Sequence, residues 1–465
     1  MADELTWMPA SEIRTLIGKG EVSPVEVTDH FLGRIEELDP VLHAFRSLDA
    51  DGAREQAQRA EDAVRSGDEL GTLHGIPVSV KEHIAVAGHP LMGAGYPEPI
   101  STRDALGVER LRDAGAIMFG TNTMMYTNGL GQDADGRMTM GFDWDAEAKN
   151  PWDTTRVPGW SSSGGAAATV AGLIPLAIGT DGGGSTRLPA AYSGVFGLHP
   201  TTTLIPWADY EQPQVSPMMM SMGPLARHVR DAAIMLQAMA GPDGRDATCL
   251  QTEPPDYLAA IDAGVDGMRF AWTDDFGFTD MYAQEESPRV IAAVRDAAQQ
   301  LTGIGAKVET TDEQWEDFFP GFIASTYLYP TGGARPPRPT PEAWAHGLDS
   351  RKRNYDKFRA VLGEHDLLLS ATTQLLPRTF EEWADAWTTG GSKFTPHGAF
   401  APVYTSHTHM FNWLGFPAAS VPCGFVDGLP VGLQLIGLPG SEATIFRVAN
   451  AYQQAFPQLE HPPVS

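Results

Sequence analysis

Between Ala166 and Ile178 only Thr169, Gly172 and Pro175 interrupt a run of apolar residues. A stretch so continuously apolar has no face for water, whether helix or strand, and is expected to be buried on all sides. Around it the pattern alternates between helical and strand periods. Ser23-Pro24-Val25-Glu26 has the serine-to-glutamate spacing of a capping box with proline at the first helical position, and Val27, Phe31, Ile35 and Leu38 then recur at helical intervals. That spacing predicts a helix over 24–38. A more polar helix follows over 51–66, and a short strand through Val78 and Val80 ends at Lys81. Val108 and Leu111 mark a helix leading into a strand at 116–119, closed by Gly120-Thr121-Asn122. Beyond the central stretch, 229–240 and 289–301 read as helices, 418–421 and 432–436 as strands, and 443–456 as a closing helix. Repeated helix–strand alternation predicts an α/β fold whose sheet is covered by helices on both faces.

The texture changes from about 311 to 400. Trp315, Phe318, Phe319, Phe322, Tyr327 and Tyr329 are followed by a Gly/Pro/Arg-rich run at 332–341, which reads as an insertion outside the sheet. Its aromatic side chains suit either local core or the mouth of a pocket.

Polar clusters flank the central apolar stretch. Ser161, Ser162 and Ser163 stand at one end and Gly182-Gly183-Gly184-Ser185 at the other. A hydroxyl buried at the edge of a core without a partner costs about 1–3 kcal/mol, so these groups must satisfy each other or a substrate. Three consecutive glycines let successive N–H groups point to one side, and such a nest beside a serine suits the oxyanion of an acyl transfer. A flexible linker would not run straight into a dozen apolar residues. A phosphate loop is excluded because Ser185 occupies the position where the phosphate-binding lysine is required.

Composition narrows the partners. The chain has 465 residues, long enough for one large domain or two closely joined ones. Its net charge of −27 would repel nucleic-acid backbones and anionic lipid, so neither nucleic acid nor membrane is an expected partner. The two cysteines, Cys249 and Cys423, suggest no disulfide framework and fit a reducing, cytoplasmic setting. The start, MADELTW, lacks the basic and apolar pattern of a signal peptide, and no apolar run is long enough to span a bilayer.

Taken together, PGWSSSGGAAATVAG, GTDGGGSTRLPA and the upstream HGIPVSVKEHI resemble the amidase signature family. The likeness continues through NPWDTTRVPG, GVFGLHPT, GPLARHVRDAA and FPAASVPCGFVDGLPVGLQLIG, leaving out roughly 253–400. It implies a single large α/β domain with a central mixed sheet covered on both faces, the 311–400 segment being a variable insertion near the substrate pocket. It also implies that Ser185 is the nucleophile, Lys81 the catalytic lysine and Ser161 the serine held in a cis peptide, with Gly182, Gly183, Gly184 and the Ser185 N–H as the oxyanion hole. Ser161 stands 24 positions before Ser185, as in the family pattern, and Ser162 is the alternative because SSSGG allows a slip of one. Trp160 and Ser163 replace glycines of the motif, Glu82 replaces an aspartate, and GTN at 120–122 lacks a lysine.

The chemistry follows from these groups. A serine hydroxyl needs a base, and no G-x-S-x-G elbow is present to supply histidine, so the base falls to a lysine made neutral by burial at the end of an apolar strand. Neutral Lys81 would take a proton from Ser161, and Ser161 one from Ser185 as it attacks a carbonyl. Asp181 and Arg187 are expected to hold the loop by an ion pair. His407 and His409 form an H-x-H pair without a carboxylate-rich motif beside it, so neither a metal nor another cofactor is expected. Trp160, Ser162, Trp207 and the methionines 218, 219, 220 and 222 are expected around the substrate, favouring a bulky apolar or aryl amide, carbamate or ester. A homodimer is compatible with the sequence. The rival reading is a glutaminase component of a tRNA-dependent amidotransferase, which would need a polar pocket and companion chains.

Overall fold

The computed structural model describes residues 2–92, 98–125, 131–132, 138–139, 143–207, 219–317, 340–383, 401–458 and 460–465. Its strands are β1 (Phe45–Leu48), β2 (Pro77–Lys81), β3 (Ile117–Asn122), β4 (Gly131–Gln132), β5 (Met138–Thr139), β6 (Leu176–Asp181) and β7 (Phe196–His199). They continue with β8 (Ser221–Ala226), β9 (Arg269–Trp272), β10 (Lys307–Thr310), β11 (Leu367–Ala371), β12 (Ala418–Val426) and β13 (Leu429–Ile436). Eleven of them form one sheet in the order β1-β3-β2-β6-β8-β7-β12-β13-β11-β9-β10, and β4 and β5 pair separately. The sheet is mixed: β2 runs parallel to β3 and β6, and β9 to β10 and β11, while the pairs joining the two parallel groups are antiparallel.

Helices cover both faces, as the alternation of core residues shows. In β6, Leu176 and Ile178 enter the main hydrophobic core while Ala177 packs with Ala166, Val170, Ala190 and Leu225. In β11, Leu367 and Leu369 join the main core while Leu368 packs with Phe276, Phe358 and Phe411. Strands buried on both sides are the continuous apolar runs that α/β sheets require.

The predicted helices form with shifted ends. Pro24–Leu42 carries the capping box, with Val25 N–H donating to Ser23 Oγ at 3.0 Å and Ser23 N–H to Glu26 Oε2 at 2.9 Å. The helix runs past the expected end at 38 and takes Pro40 into its last turn. The apolar run splits into the Ser163–Val170 helix and β6, with the turn at Gly172 between them.

One expectation is corrected. The 311–400 segment does not stand wholly outside the sheet, because β11 lies within it, fully buried between β13 and β9. Trp315 is core as well, stacked on Phe358 with centroids 4.5 Å apart. Four consecutive apolar or small residues, Leu367 to Ser370, sit too close to polar and Pro-rich neighbours for a composition argument to find them. Phe318, Phe319, Phe322, Tyr327, Tyr329 and most of the Gly/Pro/Arg run lie outside the described residues, as does Met218. Among the described residues no helix is long and apolar enough to cross a membrane.

Candidate active site

Two parallel neighbours build the site at their carboxyl ends, where open α/β sheets leave room for ligands. Lys81 is the last residue of β2, Thr180 and Asp181 the last of β6. The serine cluster leads into the helix that packs beneath β6, and the glycine-rich turn leaves β6 directly. Gly179 permits the close approach: a Cβ there would lie 2.9 Å from both Ser162 Oγ and Thr186 Oγ1.

Lys81 is 1% exposed, which rules out the surface ion pair with Glu82 that an ordinary lysine would form. Glu82 turns the other way, accepting from Met124 N–H at 2.7 Å and facing Arg46 at 3.3 Å. Lys81 Nζ lies 2.6 Å from Ser161 Oγ, 3.0 Å from Ser162 Oγ and 2.9 Å from Thr180 Oγ1. Burial drives its pKa well below the usual lysine value, although Asp181 and Glu82 pull the other way. Burial likewise drives the pKa of His83, 3.1 Å from Thr180 Oγ1, well below the usual imidazole value.

The two serines differ in their surroundings. Ser162 Oγ donates to Thr180 O at 3.2 Å and accepts from Thr180 N–H at 3.2 Å, so its proton is committed to a backbone carbonyl. Ser162 was expected to meet substrate; in the structure it is 1% exposed and its hydroxyl is engaged by Lys81 and the Thr180 backbone. Ser161 has Lys81 as its hydrogen-bond partner and stays slightly more exposed, at 6%. Ser185, 8% exposed, is tied to this segment by Ser162 N–H donating to its carbonyl at 3.2 Å. The structure brings Lys81 to both serines by hydrogen bonds, and Ser185 alongside without a side-chain hydrogen bond to either among the described residues.

The glycine turn is held from outside. Gly184 has φ of +123°, a conformation a side chain would strain, and its N–H donates to Asp181 Oδ1 at 2.6 Å. That corrects one expectation: the Gly184 N–H is engaged and unavailable to an oxyanion. The N–H groups of Gly182, Gly183 and Ser185 have no acceptor among the described residues. Asp181 is fully buried; burial alone would push its pKa up, but the charge and hydrogen bonds of Arg187 prevail and hold it below the usual carboxylate range. Arg187 donates to both its oxygens, at 2.9 and 3.1 Å, and also to Gln434 Oε1 at 2.8 Å and Asn412 Oδ1 at 2.6 Å. Asn412 in turn donates to Asp181, and Thr408 Oγ1 donates to Gly183 O at 2.7 Å.

The remaining expected residues fall into two groups. Trp160, next to Ser161, packs against Trp383 and Tyr404 with centroids 5.2 and 6.1 Å away. Trp207 stacks on His83 at 6.1 Å and packs into the main core, on the lysine side of the site. Met219 and Met222 are core, whereas Met220 flanks the glycine turn, its Cε 3.1 Å from where a Gly182 Cβ would be. His407 Nε2 faces Asp274 O at 3.2 Å and His409 Nδ1 faces Thr405 O at 2.5 Å, so backbone carbonyls occupy this pair. Thr180, His83, Thr408, Asn412 and Gln434 were not foreseen. Of these only His83 carried a local signal, a polar ring two residues past the lysine.

Fold and site together place the protein among the α/β amidohydrolases. Residues 26–333 and 339–446 match the amidase family. The chain is 34% identical over 493 aligned residues to a glutamyl-tRNA(Gln) amidotransferase component from Symbiobacterium thermophilum, covering 96% of each. Among solved structures it is similar to a bacterial aryl acylamidase of the amidase signature family, with a TM-score of 0.82, 26% identity and 98% of each chain covered. The native peptide amidase of Stenotrophomonas maltophilia gives a TM-score of 0.77 at 26% identity, with 99% of each chain covered. The chain belongs to the amidase signature family.

Proposed function

We propose that the protein hydrolyses C–N bonds of amides bearing a bulky apolar or aryl group through an acyl-enzyme on Ser185, with carbamates and esters as further substrates. The observation that carries this reading is the buried Lys81 amine, 2.6 Å from Ser161 Oγ with its pKa pushed down by burial. An uncharged amine there is a base, and Ser161 is the one cluster serine in contact with it whose proton is not committed to the backbone. Lys81 Nζ takes the Ser161 proton, and Ser161 takes that of Ser185 as Ser185 Oγ bonds to the carbonyl carbon. The oxyanion meets the N–H groups of Gly182, Gly183 and Ser185. Ser161 returns its proton to the leaving nitrogen, the C–N bond breaks, and water attacks the acyl-enzyme by the same route in reverse. Apo structures often hold such links longer than hydrogen-bond length, which fits the open Ser185–Ser161 step. Trp160 with Trp383 and Tyr404 supports an aryl preference, because these rings border the serine motif.

The second reading, a glutaminase component within an amidotransferase assembly, draws support from the 34% identity to the Symbiobacterium thermophilum amidotransferase component over 96% of both chains. Glutamine carries an ammonium and a carboxylate, and charge of both signs stands beside the aromatic border, where Arg378 hydrogen-bonds to Tyr404 and pairs with Glu286 at 2.7 Å, so a direct assay is needed. The purified chain alone, given p-nitroacetanilide, a matched aryl carbamate and glutamine, decides between them. Turnover of the aryl substrates but not glutamine, abolished in Lys81→Ala and Ser185→Ala, is the expected result. Glutaminase activity without aryl turnover favours the amidotransferase reading, and a full rate in either variant refutes the assignment of roles.

A further inference from the structure

We infer that His83 is a positioning residue that keeps the Lys81 lone pair turned toward Ser161 by accepting the Thr180 hydroxyl proton, an inference that rests on the lysine-base reading above. The geometry is a chain of three groups. His83 Nε2 lies 3.1 Å from Thr180 Oγ1, which lies 2.9 Å from Lys81 Nζ. All three residues are buried, so leaving any of these polar atoms without its partner carries a desolvation cost.

Counting protons fixes the directions. A neutral lysine amine has two N–H donors and one lone pair. Ser162 already gives its own proton to Thr180 O, so it can only accept from Lys81, using the first donor. Thr180 Oγ1 takes the second donor if its hydroxyl proton points elsewhere, and His83 Nε2 is the acceptor within reach. The lone pair is then left for Ser161, at 2.6 Å. The opposite tautomer, with the proton on Nε2, would turn the Thr180 hydroxyl onto Lys81 and occupy the lone pair needed for the Ser161 proton. His83 thus carries its proton on Nδ1. Its ring is braced by Trp207, stacked at an interplanar angle of 27°.

Losing the acceptor has a direction. The freed Thr180 hydroxyl donates to the Lys81 lone pair, which stabilises the neutral amine and competes with Ser161. Turnover falls, and the acid limb of the pH profile, where Lys81 takes up a proton, moves to lower pH. Asp181 and Glu82, the charged groups acting on Lys81, are untouched by the change and keep favouring the charged amine.

Two variants separate this role from packing. His83→Phe keeps a ring against Trp207 but removes the acceptor, whereas His83→Gln loses the ring and keeps an acceptor. With an aryl amide substrate, His83→Phe is expected to lower kcat about tenfold or more with little change in KM and to move the acid limb down by about half a pH unit or more. His83→Gln should restore most of the rate and the wild-type limb. In a Thr180→Val background, His83→Phe should add nothing, since the two act in series. Equal losses in the Phe and Gln variants, or a wild-type acid limb in His83→Phe, would overturn the inference while leaving the lysine base intact. A rate that Lys81→Ala does not lower would overturn the parent reading and this inference with it.

Discussion

Arg187→Met is a sharp test of how the glycine turn is held. Arg187 and Asp181 are both fully buried, and the guanidinium meets the carboxylate through two hydrogen bonds of 2.9 and 3.1 Å. Methionine keeps the length and volume of the side chain but leaves Asp181 charged, buried and without its cation. Breaking a buried pair in this way costs about 3–5 kcal/mol, more than the pair is worth against an apolar replacement of both partners. For a chain of 465 residues the unfolding entropy is about 1 kcal/mol/K, so the midpoint of thermal unfolding should fall by about 3–5 °C at neutral pH. The pH dependence has a definite sign. In the wild type the depressed Asp181 pKa gives stability that is fully present above the unfolded carboxylate value and is lost only as pH falls below it. In the variant the largest cause opposing burial is gone and only weaker ones, among them the hydrogen bonds from Gly184 N–H and Asn412, still act against it; the folded pKa rises, and the folded state gains a proton as pH drops. The stability gap is therefore widest near neutrality and narrows toward about pH 4. Adding Asp181→Asn removes the stranded charge and should recover part of the loss. Calorimetry of the three proteins across this range checks it. A midpoint drop under about 1 °C, or a gap that does not change with pH, would refute the reasoning.

Two further outcomes follow from the same geometry. Lys81→Met should raise the unfolding midpoint at neutral pH, because the unfolded wild type takes up a proton that the buried amine refuses; the gain should shrink as pH approaches about 10, near the unfolded lysine value, and calorimetry at pH 7 and 10 checks it. Gly179→Ala places a Cβ 2.9 Å from Ser162 Oγ and Thr186 Oγ1 and should cost about 1–3 kcal/mol together with much of kcat, read by thermal denaturation and steady-state kinetics.

The parts of the site legible in the sequence are those whose physics is local. The PVSVK strand is apolar up to a terminal lysine, and the same run that buries the strand buries the amine. The hydroxyl and glycine clusters announce themselves by flanking a segment too apolar for solvent. Asp181 and Arg187 stand six residues apart, on either side of the turn they hold. Asn412, Gln434 and Thr408 reach the same turn from more than 200 residues away, and no local pattern marks a residue whose partner is that distant. Thr180 looks like strand, and Ser162 like a substrate contact, because only the folded arrangement reveals that both hydroxyls meet Lys81 and that Ser162 Oγ also bonds the Thr180 backbone. The β11 strand escapes a sequence reading for another reason: a short run buried inside a large sheet has no polar alternation to mark it.

The central claim is that an uncharged Lys81, acting through Ser161, drives acylation of Ser185. Rapid-quench mass spectrometry of the intact protein with an aryl ester measures that step directly, with the adduct mapped by proteolysis. Expected is a transient acyl group on the peptide containing Ser185, absent in Ser185→Ala and formed at least about a hundredfold more slowly in Lys81→Ala and Ser161→Ala but not in Ser162→Ala. An acyl group on another residue, or acylation whose rate does not respond to loss of Lys81, would contradict it.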